Sequence, residues 1–192
     1  VIEEVVRDAN FEGAVKGCHV LLSGAARATL RGNRELLRSA IENVLRNAVR
    51  YSPDDAPVEV SVAAGDAANA PAGTSTPGSS GPGSSPIGLP LAGTPPAGSP
   101  AAGWTAPGSP RPGLILVIRD HGPGVPAADL ERIFEPFYRV AESRDRDTGG
   151  EGIGLAITAQ VMKAHGGFAR ANNHSGGGLA VSLSLPRAAL AA

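Results

Sequence analysis

The chain has 192 residues, 42% hydrophobic and 18% charged, with a formal net charge of −1; that is enough for one domain with a real core and gives no bulk attraction to nucleic acid or an anionic membrane. No apolar run approaches the ~18–20 residues that span a bilayer, and Glu3, Glu4, Arg7 and Asp8 break up any signal-peptide pattern. The single cysteine, Cys18, excludes an internal disulfide and a CxxC metal site; it reads as a small buried hydrophobe and fits a reducing, cytoplasmic setting.

In chain order, residues 2 to about 15 predict a helix limited by Gly13 and Gly17. Residues 19–22 and 28–30 read as short strands around a glycine-containing turn. Asn33 is a suitable N-cap for a helix over 34–51, which Pro53 stops. Leu37, Ile41, Val44, Leu45 and Ala48 recur at three and four, which makes one buried stripe. Residues 58–62 alternate apolar and polar as a half-buried strand does, and 114–118 form a short apolar run, as in a buried strand.

Between those strands, residues 65–113 hold 11 glycines and 11 prolines, with only Asp66 and Arg111 charged. Such a segment cannot bury enough apolar surface to offset its ordering entropy. It predicts a disordered insert in place of a β-hairpin turn, within a single domain spanning 1–192. The fold can carry it, because loop closure costs only ~0.6 kcal/mol more per doubling of length. A proline-rich docking segment anchored by Trp104 is the functional alternative.

Residues 126–133 predict a short helix, and the polar, glycine-ended stretch 138–150 a mobile loop. A helix from 152 to about 165 is stopped by Gly166-Gly167, and strands at 168–172 and 179–185 close the chain. The predicted fold class is α/β: a two-layer α/β sandwich, with a mixed sheet and helices on one face.

Four segments carry candidate chemistry. Asn43 and Asn47, four apart on one helix, share a face and present two neutral oxygens suited to a hard cation bridged by phosphates; standing alone, they read first as two surface asparagines on an amphipathic helix. Asp120 closes an apolar strand and is followed by Gly122 and Gly124. Its carboxylate can accept a hydrogen bond from an exocyclic amine while the glycines let backbone approach a flat base; a plain strand-to-turn junction favours the same residues. Phe134 and Phe137 are expected to anchor the base of the 138–150 loop by burial. Gly150, Gly152 and Gly154 open a helix near Ile153 and Leu155, where free N–H groups and the helix dipole suit phosphate. No Gly-Lys-Ser/Thr follows, so this is no Walker A loop, and no βαβ unit encloses it. Arg139, Arg144 and Arg146 can clamp phosphate oxygens or form part of a solvated charge run.

In this order the segments resemble the N, G1, F and G2 boxes of the catalytic and ATP-binding domain of sensor histidine kinases. That family belongs to the GHKL superfamily with DNA gyrase and the heat-shock chaperone ATPases. The resemblance spans nearly the whole chain outside 65–113 and implies the Bergerat ATP-binding fold, with ATP and Mg2+ as cofactors. By position it implies Asn43 and Asn47 on the magnesium side, Arg50 and Arg139 at the phosphates and Tyr51 on the adenine. Asp120 would hold the adenine amine, with Gly122 and Gly124 shaping the pocket. Phe137, Gly150, Gly152, Ile153, Gly154 and Leu155 complete the ATP site. The run Phe137-Tyr138-Arg139, Ser143-Arg144, Gly149-Gly150 looks like kinases of the envelope-stress sensor type.

Two positions separate this chain from the common pattern. ATPase relatives carry a water-activating glutamate where this chain has Asn43, which is no general base at neutral pH; Glu42, about 100° away around the helix, should point elsewhere. Glu151 stands where a small or neutral residue is usual and is expected to approach the metal. His19, His121, His165 and His174 all lie outside an acceptor-histidine context.

The resemblance thus implies transfer of a γ-phosphoryl group to a histidine on a separate dimerisation segment of a parent kinase. That parent would be a homodimer in the inner membrane, with this domain cytoplasmic and not membrane-spanning, and with a response regulator as further partner. The alternatives are an ATP-hydrolysing GHKL ATPase, a serine kinase acting on a partner protein, and a non-catalytic nucleotide-binding or interaction module.

Overall fold

The computed structural model describes residues 1–24, 32–66, 112–140 and 151–186. Helix α1 (Ile2–Gly13) gives way to a 3-10 turn at Ala14–Lys16, and Gly17, at φ 66°, ends it. Strand β1 (Val20–Ser23), helix α2 (Arg34–Tyr51) and strand β2 (Val58–Asp66) follow. Strand β3 (Pro112–Arg119), helix α3 (Gly154–Ala164), and strands β4 (Phe168–Asn173) and β5 (Leu179–Pro186) complete the set.

Local chemistry sets the bounds of α2. The Asn33 side chain accepts hydrogen bonds from the N–H groups of Glu35 (3.0 Å) and Leu36 (3.1 Å), satisfying two donors that a helix start leaves unpaired. At the other end Ser52 is extended, as a residue before proline must be.

The sheet order is β1-β2-β3-β5-β4. β1 runs parallel to β2 and every other pair is antiparallel, so the sheet is mixed. Register puts Val60 opposite Ile118, Leu116 opposite Leu183 and Ala171 opposite Val181. These form an inner face that packs on Ile41, Val44, Leu45 and Ala48 of α2 and on Val161 and Met162 of α3. Leu37, at the edge of the stripe, is only partly buried. Asn10 ties α1 to the edge strand: its amide donates to the Val20 carbonyl (3.1 Å) and accepts from the Val20 N–H (2.8 Å). Cys18 is fully buried, and burial pushes its thiol up, which keeps it unreactive.

Asp66 stands opposite Pro112, so β2 and β3 are hydrogen-bonded neighbours; residues 67–111 between them lie outside the described residues, as do the strand expected at 28–30 and the loop from 141 to 150. One expectation is corrected. Residues 126–133 form no α-helix but two 3-10 turns, Ala127–Asp129 and Arg132–Phe134, neither with a side-chain cap. Eight uncapped residues do not offset the cost of helix nucleation.

Candidate functional site

A cleft of about 860 Å³ opens where the C-terminal half of α2, the loop after β3 and the start of α3 meet. That volume is in the ~300–1,000 Å³ range of small-molecule sites. From α2 it takes Asn43, Arg46, Asn47, Arg50 and Tyr51; from the loop after β3, Asp120, Gly124 and Val125. Tyr138 and Arg139 line it, together with the continuous run from Glu151 to Leu155. The folded chain thus gathers residues more than 100 positions apart into one wall.

Asp120 is the buried carboxylate of this cleft, 6% exposed. Its Oδ1 accepts from the N–H groups of Gly122 (2.8 Å) and Leu179 (3.0 Å). Among the described residues its hydrogen bonds all fall on Oδ1, which leaves Oδ2 to the cleft. Burial raises the carboxyl above its usual 3.8, against the opposing pull of the Leu179 and Gly122 amides. The fixed backbone donors keep the group oriented, and the cleft-facing oxygen suits an amine N–H.

The two glycines after Asp120 have separate reasons. A Cβ on Gly122 would collide with the Tyr51 carbonyl oxygen, so this glycine lets the loop meet the end of α2, and it does not line the cleft. Gly124 does line it, at φ 76°. Its neighbour Val125 is held by Asn173 of β4, which donates to the Val125 carbonyl (2.6 Å) and accepts from its N–H (2.9 Å).

The phosphate-suited end is less satisfied. Among the described residues the Asn43 and Asn47 amides make no hydrogen bond, and Arg50 Nη2 is buried without a partner. An unpaired buried guanidinium N–H is costly, and an anionic ligand would relieve that cost. The Arg50 guanidinium also lies 5.5 Å from the Tyr51 ring centroid. Sequence reasoning missed what holds these two residues. Lys16 donates from Nζ to the carbonyls of Val49 (3.3 Å), Arg50 (3.1 Å) and Ser52 (3.1 Å), a cation capping the negative end of α2. Nothing local in the sequence marks it, since the contact spans more than 30 residues.

Glu42 turns away from the cleft, bonded at 2.6 Å to Arg38 Nε, in the separate groove between α1 and α2. The exposed Glu151 lines the cleft. No cluster of three or more His, Cys, Asp or Glu among the described residues is able to hold a metal. A cation here would be shared by Asn43, Asn47 and Glu151 with phosphate oxygens and water, the ligand habit of magnesium.

The aromatic anchor is corrected. Phe134 packs against the core, but Phe137 is 74% exposed, sits at φ 65° and does not line the cleft. Residues 137 and 152 are instead joined by backbone: the Phe137 N–H donates to the Gly152 carbonyl (3.0 Å). Gly152, at φ 72°, has no room for a Cβ, which would lie 2.9 Å from the Tyr138 carbonyl oxygen. Tyr138 adds a bond from its hydroxyl to Asp129 Oδ1 (2.6 Å) beneath the Arg132 guanidinium. Gly150, Arg144 and Arg146 lie outside the described residues.

The profile of a family described as histidine kinase-, DNA gyrase B-, and HSP90-like ATPase matches residues 104–189. The chain is 32% identical over 157 residues, 82% of its length, to the sensor histidine kinase CpxA of Escherichia coli K12. It spans about a quarter of that relative, 24%. In fold it is similar to the mycobacterial sensor histidine kinase MprB, with a TM-score of 0.65 at 24% identity over 98% of this chain and 97% of that one. It is also similar to the ATP binding domain of PrrB from Mycobacterium tuberculosis, with a TM-score of 0.56 at 22% identity over 98% and 95% of the two chains.

Proposed function

We infer the function from a family: the chain is a histidine kinase-, DNA gyrase B- and HSP90-like ATPase domain, homologous to the catalytic ATP-binding domains of sensor histidine kinases. ATP binding follows from that family. The finer reading is that the domain binds Mg-ATP in the cleft and donates the γ-phosphoryl group to a histidine on a separate dimerisation segment of a homodimeric, membrane-anchored parent. A response regulator then takes the phosphoryl group. No helix among the described residues is long and apolar enough to cross a membrane.

In this reading Asp120 Oδ2 receives the adenine amine, Tyr51 packs beside the ring, and Arg50 and Arg139 face the phosphates. Gly152, Ile153 and Gly154 bring the N-terminus of α3 to the same oxygens. Asn43, Asn47 and Glu151 would hold magnesium, which neutralises charge developing on the phosphates during transfer. The chain contributes position and electrostatics, with little proton chemistry of its own.

One observation carries transfer over hydrolysis. Asn43 faces the cleft where a water-activating carboxylate would be needed, while Glu42, the next side chain, is ion-paired to Arg38 at 2.6 Å. The test is incubation with ATP labelled at the γ-phosphate, with and without a separately produced acceptor hairpin. Label should reach the hairpin and not this chain. Rapid release of labelled phosphate without any hairpin would replace this reading with hydrolysis.

A further inference from the structure

The structure assigns Thr158 a positioning role at the phosphate end of the cleft, an inference that rests on the nucleotide reading above. Thr158 lies in the middle of α3 and is 0% exposed. Its hydroxyl is 3.1 Å from the Ala40 carbonyl oxygen of α2 and 3.0 Å from the Gly154 carbonyl oxygen of its own helix. A single O–H proton serves both acceptors.

Both ends of this link matter to the cleft. Ala40 precedes Asn43 by three residues and Asn47 by seven, so all three lie on one face of α2. Gly154 begins α3 and lines the cleft. A Cβ placed on Gly154 would sit 3.6 Å from the Asn43 side chain, so the start of α3 lies directly against the metal-side asparagine. Thr158 therefore joins the helix bearing Asn43, Asn47 and Arg50 to the helix whose N-terminus faces the phosphates.

A helical threonine needs no second helix to satisfy its hydroxyl, because the carbonyl four residues back suffices. The Ala40 contact is the part that local satisfaction does not require. Valine would fill the same space without a polar group to bury. A bond that fixes the spacing of two helices is what a site needs when its two halves must converge on one triphosphate, where small misplacements are costly.

The experiment measures the affinity of the full chain for Mg-ATP and for adenosine, with melting temperature, in wild type, Thr158→Val and Thr158→Ser. Thr158→Val should lose about fivefold in Mg-ATP affinity, with adenosine affinity unchanged and no loss in melting temperature. Thr158→Ser keeps the hydroxyl and gives up a buried methyl, so it should melt earlier and bind both ligands as wild type does. The inverse order in stability and affinity is what a merely structural threonine would not produce. An unchanged ratio of Mg-ATP to adenosine affinity in Thr158→Val overturns the assignment, and so does equal weakening of both. Should Thr158→Val not fold, Thr158→Ala carries the same comparison. Wild-type chain that binds neither ligand would instead bring down the nucleotide reading, and this inference with it.

Discussion

The two ends of the cleft are built on opposite principles. At the Asp120 end the protein satisfies itself: Oδ1 takes two backbone N–H groups, and Asn173 holds both polar atoms of Val125. At the α2–α3 end the groups are left waiting: Arg50 Nη2 is buried without a partner, and the Asn43 and Asn47 amides are unbonded among the described residues. The first end is preorganised for a flat, weakly polar group and loses little order on binding. The second holds one buried guanidinium N–H that an anionic ligand would satisfy.

That contrast predicts which ligands each substitution should affect. The largest effect is expected for Asp120→Asn. The amide oxygen still accepts from Gly122 and Leu179, so the fold should stand, but its NH2 then faces the adenine amine. Affinity for Mg-ATP and for adenosine should fall together, by about 10- to 100-fold for a lost charge-assisted bond, read by calorimetry. Loss of Mg-ATP binding alone would erase the distinction between the ends.

Asn47→Ala should act at the other end only. The affinity gained on adding magnesium to ATP should drop about tenfold, while adenosine binding stays level. Glu151→Gln should reduce the same gain by less, because its exposed side chain is screened. Titration with and without a chelator separates the outcomes, and an unchanged gain in Glu151→Gln removes that residue from the metal site.

The smallest expected effect is the acid dependence of adenosine binding. The folded Asp120 carboxyl titrates above its usual 3.8 because burial disfavours the anion. Ionised Asp120 is the better acceptor, so adenosine affinity should decline as pH falls through the raised value, earlier than an ordinary carboxylate would allow, by less than tenfold within one pH unit of it. For folding the sign is opposite: the same group destabilises the folded chain at neutral pH, and that penalty disappears as pH falls through the folded value towards 3.8. A flat adenosine profile down to the ordinary carboxylate range would overturn this, and Asp120→Asn should show none of the dependence.

Much of the frame was legible because it is local. Asn33 as cap, the stripe from Ile41 to Ala48 and the stop before Pro53 are set by residues within a few positions of one another, and α2 has the bounds they imply. The alternation at 58–62 and the apolar run at 114–118 became paired strands for the same reason. Phe137 misled because aromatic residues are usually buried, whereas here its ring is exposed and its N–H is bonded to the Gly152 carbonyl. Gly122 misled because the surface it must approach is the Tyr51 carbonyl oxygen, 71 residues earlier in the chain.

The sequence by itself determined the α/β class, the ends of the main helix and the order of four segments that resemble a nucleotide site. Tertiary structure alone decided which oxygen of Asp120 is spent on the backbone, and that Lys16, Asn173 and Thr158 hold the site from outside it. The physical reason is range. Helix caps and amphipathic stripes are fixed by neighbours a turn away, while a carbonyl that needs a donor takes whichever one folding brings within about 3 Å.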